Sequence, residues 1–345
     1  MANQAIAPLP RGDIGRRLLI TAGVLLVYRV GCWIPIPGVD AQAAPGVARM
    51  LKPEMFSIFG LGVTPFLSVL FIFEFIKLIV PPLSRWEASE PSHAQTLSRI
   101  LYLLALACAG FQARGVTGAL QDAGMLMDGP GWSIVVPLTL AAGTALLLWL
   151  GERITLHGVG NGFWLIVITP TLLTLITNAA GTFELLRMGA ITSGAVIAEL
   201  GFFAVATALL VKTTQASAAP TESRVSGADF VTVWPPLLAA YVNEFRVTIS
   251  GVEIGFAAQL ALLAATIALF NGLQWLGTAP AARRPIWAIV LVQIFICVGA
   301  ELLTHTLQLP FPISGAWLIV IVMTAMSCAR AFGPLPETLS AKPAV

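Results

Sequence analysis

Long apolar runs follow one another along this chain, separated by short polar turns. Ten runs are candidate membrane spans, because a bilayer core takes about 20 apolar residues and a helix packed inside a bundle takes fewer. The third, fifth and seventh of them are short. No intervening polar stretch is long enough to bury a core, so the pattern predicts one all-α polytopic membrane domain over residues 1–345. The predicted spans are Leu18–Ile34, Thr64–Val80, Leu97–Phe111, Trp132–Leu150, Phe163–Thr177, Ala190–Val211, Phe230–Val242, Ile254–Leu276, Ile286–Leu307 and Phe311–Phe332.

The amino-acid composition supports a membrane protein and argues against several kinds of binding site. Of 345 residues, 57% are hydrophobic and 10% are charged, against about 25% charged in a soluble domain. A net charge of +2 provides no basic field for direct nucleic-acid binding. The four cysteines lie in separate apolar runs without a CxxC or Cys/His cluster, so neither zinc nor a redox site is indicated. We expect no cofactor.

Lysine and arginine placement predicts the orientation of the spans. With the N-terminus inside, 13 basic residues fall in cytoplasmic segments and 5 on the opposite side, and Arg29 lies within the first span. Positive residues are retained on the cytoplasmic side. The distribution therefore favours an even number of spans, with both termini cytoplasmic.

Ten spans divide into two sets of five, residues 18–177 and 190–332. Because an odd-numbered set returns its successor in the opposite orientation, a duplication would make the two halves inverted repeats. This inference comes from the count alone, and solute transporters share the arrangement. The inverted-repeat arrangement therefore does not distinguish between a channel and a transporter.

The stretch Phe56–Pro65 is apolar but interrupted by Gly60, Gly62 and Pro65. It cannot form one smooth spanning helix, and broken backbone at membrane depth needs burial in protein or a water-filled cavity. Two interpretations remain open. One is a half-helix that dips into a central vestibule, and the other is an interfacial helix before an ordinary span.

A second irregular stretch, Gly151–Gly162, has three glycines around Asn161. These residues predict a tight cytoplasmic turn in which Asn161 caps the following helix. A hairpin loop between two spans explains this stretch without any further function.

Ionisable residues inside spans are functional candidates, because each costs several kcal/mol without a partner. Arg29 lies near the outer end of its span, where it can snorkel. Glu74 and Lys77 share a helix face and can pair. Glu199 has no basic neighbour in its own span, and Glu301 is a second such carboxylate. A proton-coupled transporter would need a group of this kind.

Enzyme motifs are absent from the sequence. It contains no GxSxG, HExxH or P-loop motif, so nucleotide hydrolysis by this chain is excluded. His93, His157 and His305 are far apart in sequence and lie near span ends. We therefore expect no catalytic residues, and any energy input would come from a partner or a gradient.

Four separated blocks, read in order, resemble the SecY/Sec61-alpha protein translocase channel family. A weaker match is Val233–Leu237 with its proline pair, at the family's seventh span. The four blocks are Arg16–Asp40 with Ile34-Pro35-Ile36-Pro37-Gly38, Phe56–Pro82 with Leu61-Gly62-Val63-Thr64-Pro65, Leu148–Val167 with Gly158-Val159-Gly160-Asn161-Gly162, and Leu309–Met323.

The resemblance implies an hourglass channel with two five-helix halves, a lateral gate, an apolar pore ring and a plug below that ring. A ring of bulky apolar side chains excludes water and ions by dewetting and yields around a passing chain. The plug is expected near residues 54–61, at Met55, Phe56, Ser57, Ile58, Phe59 and Gly60. The ring positions carried over from the family are Val63, Leu67, Phe163, Val167, Leu237 and Val320.

Partners implied by the resemblance are a SecE-like subunit, a SecG-like subunit, SecA or the ribosome, secretory or membrane-protein polypeptides and the lipid bilayer. Family members dock SecA or ribosomes through two basic cytosolic loops. Here those loops are shortened, and the second has Arg283 and Arg284 as its only charges. The sequence thus resembles a divergent, shortened paralogue.

Three hypotheses follow. The leading one is the central subunit of a protein-conducting channel in the bacterial inner membrane, which translocates unfolded polypeptides or inserts them into the bilayer. The alternatives are an inverted-repeat small-solute transporter and a non-conducting membrane assembly factor. Transporters place polar ligands at broken helices, whereas both broken stretches here contain Val, Leu, Phe and Ile.

Overall fold

A computed structural model describes residues 14–40, 42–44, 53–129, 131–216, 228–250, 255–277, 286–307 and 313–330. Within these ranges the regular structure is helical, with two isolated β-bridges. The elements are α1 (Ile14–Gly31), a 3-10 turn (Pro53–Phe56), α2 (Thr64–Ile79), α3 (Pro81–Ser89), α4 (Pro91–Asp122), α5 (Trp132–His157), α6 (Gly162–Arg187), α7 (Ser193–Ala216), α8 (Ala228–Ser250), α9 (Phe256–Gly277), α10 (Trp287–Leu307) and α11 (Gly315–Arg330).

Six helices in the described part of the chain are long and apolar enough to cross a membrane, namely α4, α5, α6, α7, α9 and α10. The described part of the chain is therefore helical, and the chain is a multi-pass membrane protein. Helix α11 is a shorter apolar helix.

The spans expected to be short belong to long helices. Leu97–Phe111 lies inside the 32-residue α4, and Phe163–Thr177 inside the 26-residue α6. Phe230–Val242 likewise lies inside α8, which has 23 residues. Hydropathy registers only the apolar middle of such a helix. Polar residues beyond that middle still fit the helix, because a threonine hydroxyl can donate to the carbonyl four residues earlier, as Thr117 does to Ala113 at 2.7 Å.

The chain divides into two compact units. The first contains Met1–Phe75, Glu87–Thr169 and Ser327–Val345, and the second contains Ile76–Trp86 and Pro170–Met326. Helix α6 contributes to both units, and the division falls immediately before Pro170.

The first unit has an apolar core at one end of α4 and α5. Residues from the loop after α1, from α4 and the loop that follows it, and from α5 form this core, and Phe56 and Leu61 pack against it. Its buried members are Ile36, Ala113, Leu120, Met125, Val136 and Leu140. Burying these side chains stabilises the loop segments that carry the site described below.

Candidate functional site

The segment expected to be a plug forms a tightly pinned turn. A single 3-10 turn ends at Phe56, and residues 58–63 are non-helical. Pro35 and Ser57 form an antiparallel bridge. The backbone N–H of Ile36 donates to the carbonyl of Phe56 at 2.9 Å, and that of Ile58 donates to Ile34 at 3.0 Å. The half-helix interpretation is therefore wrong for the described residues, because the glycines and these cross-bonds favour turns over helical bonds.

Side chains of α1 add to this attachment. The Arg29 guanidinium donates to the Glu54 carboxylate at 3.1 Å and also lies over the Trp33 ring, with 5.2 Å to its centroid. The rings of Tyr28 and Phe59 stack with centroids 6.0 Å apart. Arg29 thus has a specific partner in addition to its position near the outer end of the span.

Helix α5 closes the other side of the turn. The Thr144 hydroxyl donates to the carbonyl of Gly62 at 3.0 Å. Gly143 lies so close to the carbonyl of Ile58 that a Cβ on Gly143 would overlap its oxygen. A helix residue without a side chain is required wherever another backbone approaches this closely.

The second irregular stretch forms the predicted turn, and Asn161 caps α6 as expected. Its Oδ1 accepts the backbone N–H of Phe163 at 3.1 Å and that of Trp164 at 3.4 Å. The Thr155 hydroxyl accepts the N–H of Gly162 at 2.9 Å. These acceptors satisfy backbone donors that a helix start leaves unpaired.

This turn is also bound to α1. The backbone N–H of Val159 donates to the Thr21 hydroxyl at 2.9 Å, and that hydroxyl donates to the carbonyl of Arg17 at 3.0 Å. Sequence reasoning did not identify Thr21, because one threonine inside an apolar run carries no local signal.

Comparison with known proteins finds similarity to one family, the SecY family. Residues 57–224 match the SecY family model. The protein translocase subunit SecY of Escherichia coli K12 is 34% identical over 200 residues, which cover 52% of this chain and 44% of the relative. SecY of Thermus thermophilus is 31% identical over 225 residues, which cover 59% and 51%.

A solved SecY structure, whose plug domain is described as stabilising the closed state of the translocation channel, has a TM-score of 0.60 and 15% identity. It covers 97% of this chain and 96% of that one. The chain is similar to SecY in sequence over residues 57–224 and in fold over nearly its whole length. The sequence matches span about half the length of the curated relatives, whereas the fold similarity extends over nearly the whole chain.

The ring positions of this SecY-like chain are apolar and mostly buried. Val63, Leu67 and Val167 are buried in the first unit, where Phe163 is partly exposed. Leu237 and Val320 are buried in the second unit, at 2% and 0% exposure. Five of the six side chains are therefore withdrawn from the protein surface.

Phe163 belongs to an aromatic cluster in the first unit of the SecY-like chain. Its ring meets that of Phe66 edge-on at 5.0 Å, and Phe66 stacks on Tyr102 at 5.2 Å. Trp164 packs edge-on against Phe163 at 5.2 Å. Phe163 and Trp164 directly follow the capped turn, and their large rings pack within this aromatic cluster.

The remaining candidate functional residues of the SecY-like chain lie outside the plug, the ring positions and the capped turn. Arg283 and Arg284 are outside the described residues. Glu199 in α7 and Glu301 in α10 are half-buried in the second unit. Among the described residues, no cluster of three or more His, Cys, Asp or Glu side chains could hold a metal ion.

Proposed function

We propose that this chain is the central subunit of a protein-conducting channel, which moves unfolded polypeptides across the bacterial inner membrane or inserts them into it. The main support is one combination of observations. The fold is similar to that of solved SecY over 97% of the chain, and both broken stretches carry apolar side chains. Such side chains suit an unfolded chain of varied sequence better than a small polar solute.

The proposed architecture is ten spans in two inverted halves, residues 18–177 and 190–332, with both termini in the cytoplasm. Each predicted span overlaps one of the helices α1, α2 and α4–α11. The excess of basic residues in one set of loops supports the orientation.

The proposed mechanism is gating, with no covalent intermediate. A signal helix would open a lateral gate and displace the plug at residues 54–61, and the translocating chain would then pass the ring formed by the six apolar positions. Pinning of residues 57–62 by the loop after α1, by α1 itself and by α5 supports this assignment, because a closed channel requires a seal held by several weak contacts. Each contact is weak enough to be broken by an entering chain.

The proposed partners are SecE-like and SecG-like subunits, together with the bilayer and the transported polypeptides. SecA or a ribosome would contact the loop that contains Arg283 and Arg284. The shortness of the two cytosolic loops predicts weaker docking of either motor than in relatives with long basic loops.

Site-directed crosslinking tests the channel. Cysteines replacing Val63 or Val167 should crosslink to a stalled secretory chain, because both positions belong to the proposed ring. Leu103→Cys is the matched control, since Leu103 of α4 is 67% exposed and is not one of the proposed ring positions, so it should react with lipid-soluble reagents only.

An inserted complex that gives no crosslink at Val63 or Val167 would contradict the channel. Crosslinks of equal yield at Leu103 would show non-specific contact and would also count against it. Pull-down from native membranes then identifies the SecE-like subunit and the motor.

A further inference from the structure

Two prolines interrupt the hydrogen bonding of α8. A proline has no N–H, so the carbonyl four residues before it loses its helical donor. Pro236 removes the donor for Thr232, and Pro235 removes the one for Val231. The Thr232 carbonyl is part-buried. A carbonyl withdrawn from water without a donor is costly, so α8 needs another donor at this position.

The donor that replaces the missing N–H opposite the Thr232 carbonyl comes from a side chain of α10. The Gln293 side-chain Nε2 donates to the carbonyl of Thr232 at 2.8 Å. Gln293 is fully buried, at 0% exposure. A glutamine in the middle of an apolar helix would otherwise be destabilising, so its position opposite this carbonyl explains its presence.

Asn271 of α9 fixes the orientation of that glutamine. Its Nδ2 donates to the Gln293 Oε1 at 2.8 Å and to the carbonyl of Ile267 at 2.8 Å. Both Nδ2 hydrogens are thus used. Because Asn271 presents a donor to Gln293, the glutamine oxygen must face α9, and its NH₂ group must face α8.

The bonded carbonyl of Thr232 lies on α8 a little more than one helical turn before a proposed ring residue. Leu237 follows Pro236 and is 2% exposed, and the ring of Trp234 packs on Phe270 of α9 with centroids 5.1 Å apart. Because Leu237 directly follows Pro236 in α8, we expect a change of backbone conformation at Pro236 to move Leu237 as well.

We propose that Gln293, oriented by Asn271, supplies the donor that Pro236 lacks and thereby fixes the proline-containing part of α8 in the conformation that positions Leu237 in the channel constriction. The pair forms a polar clamp between α8, α9 and α10. Neither residue touches the transported chain, so both are positioning residues. The claim about the constriction rests on the proposed channel function, whereas the clamp itself does not.

The test is a set of variants of the full-length protein. N271L/Q293L removes both amides and leaves the Thr232 carbonyl without a donor, so the Tm in detergent should fall by on the order of 5 °C. Adding Pro236→Ala restores an N–H four residues after Thr232 and should recover the Tm. Adding Pro235→Ala is the matched control, because its new N–H serves Val231 and should give no comparable recovery.

Equal recovery by Pro235→Ala and Pro236→Ala would overturn the clamp, because the effect would then be general relief of proline strain. If N271L/Q293L does not accumulate in membranes, accumulation replaces Tm as the measurement. Pro236→Ala must then restore it, and Pro235→Ala must not.

Ion conductance in planar bilayers with potassium chloride tests the positioning. The wild-type channel should be sealed, and N271L/Q293L should leak several-fold more. The triple variant with Pro236→Ala should remain leaky although its Tm has recovered, because the regular helical bond that alanine restores changes the backbone conformation that positions Leu237.

Wild-type leakage in the triple variant would overturn the positioning role and leave only a structural one. An unsealed wild-type protein would count against the channel function itself. The Tm series would still decide the clamp.

Discussion

The Arg29 guanidinium lies 3.1 Å from the Glu54 carboxylate and joins the last turn of α1 to the 3-10 turn with which the proposed plug begins. The two side chains are 36% and 43% exposed, and ion pairs of this kind contribute less than about 1 kcal/mol. The pair therefore suits a latch that must open.

Reversal of one charge tests this latch. Arg29→Glu should place two carboxylates together and raise the resting ion conductance of the channel in bilayers. The double variant R29E/E54R should restore a low conductance, because the opposite charges are again adjacent. An R29E/E54R channel as leaky as the single variant would show that the pair does not hold the turn.

Gly143 provides a stronger test of the same seal. Alanine at this position would drive a methyl group into the carbonyl of Ile58, so Gly143→Ala should displace the turn and increase leakage. Gly110→Ala in α4 is the control, because a Cβ there meets no atom within 4 Å and alanine favours a helix by about 1 kcal/mol over glycine. A sealed Gly143→Ala channel would mean that the turn does not contribute to the barrier.

The sequence predicted the local features of these sites and missed the distant ones. The cap by Asn161 involves the N–H groups two and three residues later, so this helix cap can be predicted from the local sequence. The Arg29–Glu54 pair joins residues 25 apart, and the Gln293–Thr232 bond joins residues 61 apart. Such pairs depend on helix packing, which neither hydropathy nor motif spacing specifies.

The plug segment shows the same limit. Gly60, Gly62 and Pro65 correctly indicated a break in the helix, but a half-helix was the wrong form. The backbone of Ile34–Ile36 forms hydrogen bonds that compete with helical bonds in the plug segment. The sequence of the plug segment alone cannot indicate this pairing, because the partner lies about 20 residues earlier in the chain.

Asn161→Ala should weaken the start of α6. The substitution removes the acceptor for the N–H groups of Phe163 and Trp164 and should lower the free energy of unfolding by about 1 kcal/mol. Asn161→Asp keeps an acceptor at the same position and should retain most of that stability. Thermal unfolding in detergent measures both. If the two variants were equally unstable, the amide nitrogen of Asn161 would matter more than its capping oxygen.

The close approach at Gly162 should be sensitive to any side chain. A Cβ on Gly162 would overlap the carbonyl oxygen of Gly151, so Gly162→Ala should force α5 and α6 apart and reduce accumulation in membranes. Gly118→Ala in α4, where a Cβ meets nothing within 4 Å, should accumulate normally. Normal accumulation of Gly162→Ala would mean that the two helix ends separate without cost.

Glu199 distinguishes a channel from an ion-coupled transporter. It is the half-buried carboxylate of α7 that a proton-coupled mechanism would use, and Gln retains its shape while removing its charge. If the chain conducts polypeptides through an apolar ring, Glu199→Gln should leave translocation of a secretory chain into membrane vesicles unchanged. Removing an intramembrane charge should also leave the protein as stable or more stable. A specific loss of proton-dependent solute uptake in Glu199→Gln vesicles, with normal protein levels, would instead favour the transporter, because only that mechanism requires the carboxylate to change its protonation state.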